Sequence, residues 1–293
     1  MKKINLIKIV LTLLISVSAL TAHAQWAVSV SAGSADYEFA VTENLPGGDT
    51  FTDAIDDRFF YRDLGFDYSF GQHQIGFKIG GLSKSNGAID IRDTSPNAST
   101  VETGDAARDE WSAFYTYRTD FGVALTAGYY SSEVETNRAF SANIADLGGA
   151  FSGLSATLAQ TADKVVDNTG FFLGAAYGRP LSERTGIFVR LGYQDSDADE
   201  TINAAQVFTI PVQAGNNSEQ TANATFNRTA ELSGDAIVYG IGGYWAVTDS
   251  ISLNLFYEVK DFSYSDNATY SDGATFDLDE EQDMFGLTLR YSL

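Results

Sequence analysis

The sequence predicts an all-β chain, an antiparallel up-and-down transmembrane β-barrel of ten strands. Three observations predict it: the way the chain ends, the way it begins, and the rhythm of its connections. Its last nine residues alternate without a break. Phe285, Leu287, Leu289, Tyr291 and Leu293 share one face, and Gly286, Thr288, Arg290 and Ser292 share the other, because strand side chains repeat every two residues. Termini fray unless a sheet holds them. A barrel holds its last strand by pairing it with the first, which leaves no edge in the membrane.

The chain opens with the pattern of a secretory leader. Lys2 and Lys3 precede an apolar run from Ile4 to Leu20, interrupted by Asn5 and Lys8, and Ala22-His23-Ala24 fits a small-x-small cleavage site. The expected organisation is a cleaved leader over 1–24 and one barrel domain over 25–293. No later stretch reaches the ~18 consecutive apolar residues of a membrane helix, so a membrane-spanning mature chain must cross with strands.

Period-two segments follow in order. The first runs from Trp26 to about Phe39, with Trp26, Val28 and Val30 on one face. The second places Leu64, Phe66, Tyr68 and Phe70 outward and Tyr61, Asp63, Asp67 and Ser69 inward. The third alternates Ile75, Phe77 and Ile79 with Gly76, Lys78 and Gly80. The fourth sets Trp111, Ala113, Tyr115 and Tyr117 against Ser112, Thr116 and Arg118. Outward residues of the next three are Phe121 to Tyr129, Phe171 to Tyr177 and Ile187 to Tyr193, every second position. The eighth carries Ile237, Tyr239, Ile241 and Trp245 outward, the ninth Ile251 to Val259, and the tenth is the C-terminal strand.

Short links at 71–73, 118–120, 179–185 and 246–250 alternate with long ones at about 41–58, 83–109, 132–168, 195–234 and 262–281. That is the pattern of short periplasmic turns and long extracellular loops. Two runs, 206–213 and 221–229, allow an alternative of twelve strands, but Pro211 favours a hairpin projecting from the fourth long loop. Helix-like spacing between Phe140 and Ala162 suggests a short helix in the third. Trp26, Trp111 and Trp245 fall at strand ends, where amphipathic aromatics form an interface girdle.

Composition narrows the function. The chain has 18 Lys and Arg against 39 Asp and Glu, a net charge of −21, and no cysteine. Nucleic acid is excluded as a partner, since little basic surface exists to neutralise phosphates. The long loops are strongly acidic, at 195–200 and 277–283 above all. Asp195, Asp197 and Asp199 begin like a calcium loop, but Glu200 stands where a glycine is needed and Gln206 where a bidentate Glu is needed. Only loose binding of divalent cations is expected, and no cofactor.

The inner face carries Asp63, Asp67, Lys78, Arg190, Glu258, Lys260 and Arg290. Buried charges must be compensated, so these are expected to pair across neighbouring strands, either as a network filling a closed barrel or as the lining of a narrow pore. Small barrels are commonly filled by their own side chains.

The C-terminal strand resembles the targeting strand of bacterial outer-membrane proteins, and the mature chain as a whole resembles their small porin-like barrels. The resemblance implies an outer-membrane location with both termini periplasmic, contact with lipid and lipopolysaccharide, recognition of the last strand by the barrel-assembly machinery, and a monomer. Strand number and length also resemble the omptin proteases, which activate water with a His and carboxylates at the outer rim. Here the one mature histidine, His73, falls in a short turn at the opposite end, and a Ser nucleophile without a base is inert. The expected function is therefore non-enzymatic, envelope-structural or surface-interacting through the acidic loops. A narrow diffusion channel is the alternative, and a barrel hydrolase comes behind both.

Overall fold

The computed structural model describes residues 24–44, 50–87, 98–144, 155–211, 218–264 and 268–293; the expected leader over 1–24 lies outside them, apart from Ala24. Its strands are β1 (Ala24–Asn44), β2 (Thr50–Phe70), β3 (His73–Gly87), β4 (Ala98–Arg118), β5 (Val123–Ile144) and β6 (Ala156–Pro180). They continue with β7 (Thr185–Ile210), β8 (Gln220–Ala246), β9 (Ile251–Tyr264), the two-residue β10 (Ala268–Thr269) and β11 (Thr275–Ser292). Long strands pair antiparallel in chain order, and β1 pairs back onto β11 from Ala27 opposite Ser292 to Asn44 opposite Thr275. The result is a closed ten-stranded barrel, with β10 a short addition to β11. The Leu293 N–H donates to the Trp26 carbonyl at 2.8 Å, so the C-terminal strand closes on the first as predicted.

The four short links gather at one end. Gly71 and Gly122 turn the chain there with φ of 61° and 87°, a region glycine enters without steric cost. The long links are where the structure departs from the sequence reading. Strands run to 27 residues in β8, whereas a bilayer needs about 9–11. At ~3.3 Å per residue and ~40° tilt, β8 alone reaches roughly 70 Å along the barrel. Most of what reads as long loops is strand, and the barrel continues past the apolar band as a column.

The physical reason is an inversion of polarity along each strand. On β11, Phe285, Leu287, Leu289 and Tyr291 point outward and are about half exposed, while Gly286, Thr288 and Arg290 point inward. Further along the same strand, Asp279 and Glu281 take the outer face, and Met284, Leu278 and Phe276 are buried inside. On β1, Val28 and Val30 lie outward against Ser29 and Ser31; beyond Ala35, Asp36 and Glu38 lie outward against Tyr37, Phe39 and Val41. On β7, Tyr193 is followed on the outer face by Asp195, Asp197 and Asp199, and on the inner by Ser196, Ala198 and Glu200. A lipid-facing band needs apolar side chains outside; a column in water needs them inside.

The column accordingly has a core. Tyr37, Phe39, Val41, Phe59, Leu82, Phe262, Tyr264, Phe276 and Leu278 pack in one buried cluster with small residues such as Ala106, Ala198 and Ala230. Each large ring buried there contributes about 1.5–3 kcal/mol. Among the described residues, these inward side chains pack against one another across the lumen of this half.

Two further expectations are corrected. The 206–213 and 221–229 runs do not form a separate hairpin where described: β7 continues through 206–210 and β8 through 221–229 in register, Thr209 opposite Thr221, which also disposes of the twelve-strand alternative; 212 and 213 lie outside the described residues. The helix suggested between Phe140 and Ala162 is absent where described, since Phe140 belongs to β5 and Ala156 to Ala162 to β6; 145–154 lie outside the described residues. Alternating small residues satisfy a strand pattern as well as a helical one there, and pairing to β4 and β7 decides for strand.

Candidate functional site

The inner face of the apolar band carries the barrel's lumen charges, from Asp67 and Arg290 near the short turns to Glu110 and Lys260 where the band ends. All seven lumen residues named from the sequence lie on it. Arg290 Nη2 meets Asp67 Oδ1 at 2.6 Å, Arg190 Nη2 meets Glu258 Oε2 at 2.5 Å, Lys78 Nζ lies 3.7 Å from Asp63, and Lys260 Nζ lies 3.3 Å from Glu110. Pairing across neighbouring strands was expected, but only Lys78 and Asp63 sit on adjacent strands. Arg290 reaches from β11 past β1 to β2, Arg190 from β7 past β8 to β9, and Lys260 crosses the lumen from β9 to β4. For Arg190 the register explains this. It stands opposite Gly240 and lies over it, with no side chain in the way, to reach Glu258 one strand further on. Lys78 stands opposite Gly65 and stays with Asp63 on that same strand.

Above these charges lies a second network that sequence reasoning missed, because most of its members, Arg108 and Glu280 among them, sit in segments read as loops. Arg108 on β4 and Glu280 on β11 form an ion pair buried on both sides. Glu280 also accepts from Tyr37 Oη at 3.2 Å, Tyr264 Oη at 3.1 Å and Gln282 Nε2 at 2.8 Å. Tyr264 in turn accepts from Asn168 Nδ2 at 3.0 Å, and Asn168 Oδ1 accepts from Ser196 Oγ at 2.8 Å. Strands from opposite walls are thus cross-tied through one carboxylate. Burial and the Glu280 charge push the Tyr37 and Tyr264 phenols well above the ordinary tyrosine range. Burial works against the Arg108 charge, but Glu280 and Glu110 more than offset it and hold its guanidinium above its usual value. A further buried pair, Lys164 and Glu200 at 2.7 Å, lies higher in the column, with the ammonium 5.1 Å from the Phe39 ring centre. The available signal was the reversed alternation itself, as in Phe276-Asp-Leu-Asp-Glu280.

The other named residues have plain positions. Asp195, Asp197 and Asp199 point outward from an extended strand, spaced along it rather than converging, and among the described residues no group of three or more His, Cys, Asp or Glu is arranged to hold a metal. Trp26 and Trp245 lie at the short-turn end, Trp26 with its ring 4.7 Å from that of Tyr68. Trp111 lies where the apolar band gives way to charge, its ring 5.8 Å from Tyr129. His73 opens β3 at the short-turn end, with Nδ1 2.7 Å from Tyr115 Oη and its ring among Phe70, Tyr115 and Tyr117.

No protein-family model matches the sequence, and no curated protein matches it. Solved structures do. The outer membrane protease OmpT from Escherichia coli superposes with a TM-score of 0.52 at 11% identity, covering 92% of this chain and 97% of the protease. The fold is that of an outer-membrane β-barrel. Looser similarity links this barrel to the β domain of the Bordetella autotransporter BrkA, with a TM-score of 0.36, 13% identity, and coverage of 90% of this chain and 100% of that one. A FadL homologue of Pseudomonas aeruginosa has a TM-score of 0.36 at 7% identity, covering 91% of this chain and 90% of that one. At 11% identity the likeness to the protease shows the fold alone.

Proposed function

We propose that this is a non-enzymatic outer-membrane barrel, closed to solutes, that presents a rigid acidic column at the cell surface in an envelope-structural or surface-interaction role. The observation that carries the reading is the buried core filling the lumen of the long-strand half, where Tyr37, Phe39, Phe262 and Phe276 stand in the path a solute would take. In the proposed orientation both termini and the short turns face the periplasm, and the column faces outward.

The outer face of the column supports a contact role. Asp109, Glu133, Asp167, Asp199 and Glu231 stand directly opposite one another across five successive strands. Like charges so placed destabilise a sheet, so their persistence favours a use in water, with loosely held divalent cations beside lipopolysaccharide as counter-charge. His73 lies away from these carboxylates, among aromatic rings at the short-turn end, which favours the non-enzymatic reading over a hydrolase. Monomeric insertion through the C-terminal strand completes it.

Single-channel recording of the refolded protein in planar bilayers tests the proposal. The expected result is no steady conductance. A steady conductance that changes in Arg190→Ala or Asp67→Ala overturns it in favour of a narrow channel.

A further inference from the structure

The half of the barrel inside the apolar band is hollow. Two adjoining cavities of about 320 and 390 Å³ share Lys78, Phe114, Phe188, Arg190 and Glu258 in their walls. Register explains the space. Phe114 stands opposite Gly76, Phe172 opposite Gly128, Phe188 opposite Gly242 and Phe256 opposite Gly286. A Cβ on any of those glycines would overlap the ring, so each ring folds over its glycine against the wall. The centre is left open and the wall is aromatic.

The two ends of this chamber differ. Towards the long strands it is bounded by the Lys260 and Glu110 pair and the buried core. At the short-turn end lies Arg118, exposed at the end of β4. The carboxylates of Asp63, Asp67, Glu110 and Glu258 each face a Lys or Arg. Arg118 instead donates to the neutral Gln74 Oε1 at 2.5 Å. It lines the same cavity as Arg290, whose guanidinium Asp67 holds; the walls carry Lys78, Arg118, Arg190 and Arg290 against Asp63, Asp67 and Glu258, and Arg118 is the cation without a carboxylate of its own among these pairs. In a strongly acidic protein the mouth of the chamber is therefore electropositive.

We propose that this chamber binds a small aromatic carboxylate entering from the short-turn end. Its carboxylate sits on Arg118 and Arg290, whose planar forks match that group, and its ring lies against Phe114, Phe188 and Phe256. The volume suits a molecule of this class. Since the long-strand half is filled, the ligand enters and leaves by one mouth. The inference does not depend on the surface role.

Calorimetric titration of benzoate into the full-length refolded barrel in detergent tests it, with acetate and benzyl alcohol as probes of the carboxylate and the ring alone. Saturable benzoate binding with a Kd of about 1 mM or tighter is expected, at least tenfold weaker for acetate and for benzyl alcohol. Arg118→Gln weakens benzoate at least tenfold, whereas Arg58→Gln, on the exposed outer face, leaves it unchanged. Ala176→Phe, which fills the chamber without touching the mouth, gives the same loss by a second route. Absence of saturation, equal binding of acetate, or benzoate binding indifferent to both Arg118→Gln and Ala176→Phe overturns the proposal.

Discussion

Arg108 and Glu280, 172 residues apart in sequence, meet across the lumen as an ion pair in which each side chain is at most 2% exposed. The pair sits at the base of the buried core, where the hollow half of the barrel gives way to the packed half. Removing one partner strands the other charge in a place water cannot reach. Glu280→Ala is therefore expected to cost about 3–5 kcal/mol, whereas the joint replacement Arg108→Met with Glu280→Leu recovers most of the loss. Urea unfolding in detergent, followed by tryptophan fluorescence, measures both. A Glu280→Ala midpoint equal to wild type would remove the pair from any structural role.

The same carboxylate sets an alkaline limit. Tyr37 and Tyr264 are held above the ordinary phenol value by burial first and by Glu280 second. Their folded pKa values lie above the unfolded one, so this contribution is complete below pH about 10 and is lost as pH rises further. In a spectrophotometric titration these two phenols should ionise only as the barrel unfolds. Glu280→Gln should bring their ionisation closer to that of free tyrosine.

The inversion of polarity makes neighbouring aromatic positions unequal. Phe39→Ala and Phe276→Ala empty space in the buried core and should each cost about 3–5 kcal/mol. Phe60, outward and 54% exposed, should tolerate alanine to within ~0.5 kcal/mol. Comparison of the three midpoints checks which face of the column is its inside.

On the outer face, Glu281 stands opposite Glu38 on β1 and Asp261 on β9. Partial burial first, then Asp283, Asp261 and Glu38, raise its pKa. A carboxyl whose folded pKa is raised favours the folded state at low pH and ceases to as pH climbs through that value. Glu281→Gln should thus raise the thermal midpoint at pH 8 but not at pH 4, by an amount worth a few tenths of a kcal/mol and smaller still in high salt.

How much of this was legible in the sequence follows from one assumption about faces. Where apolar meant outward, as in Phe285 to Leu293 or Ile187 to Tyr193, strands, phases and short turns could be read directly. Past Ala35, Tyr193 and Asp283 the alternation continues with its meaning reversed. Acidic residues then look like loop composition, although Tyr37, Phe39, Phe276 and Leu278 keep a strict period of two. The lumen charges were visible individually; their partners were not. That the Arg190 guanidinium reaches β9 depends on Gly240 lying opposite it, a matter of register that a single chain pattern does not contain. Arg108 and Glu280 were hidden twice, once by the apparent loops and once by their separation in sequence.

The central claim is that the barrel continues beyond the membrane as a column, charged outside and packed inside. The chain has no cysteine, so single-cysteine variants report cleanly. Asp199→Cys and Ala198→Cys, adjacent on β7, should differ completely when intact cells are treated with a membrane-impermeant maleimide. The outward Cys at 199 should label and the buried one at 198 should not. Equal labelling of both, or labelling at 199 only after the cells are permeabilised, would contradict the account.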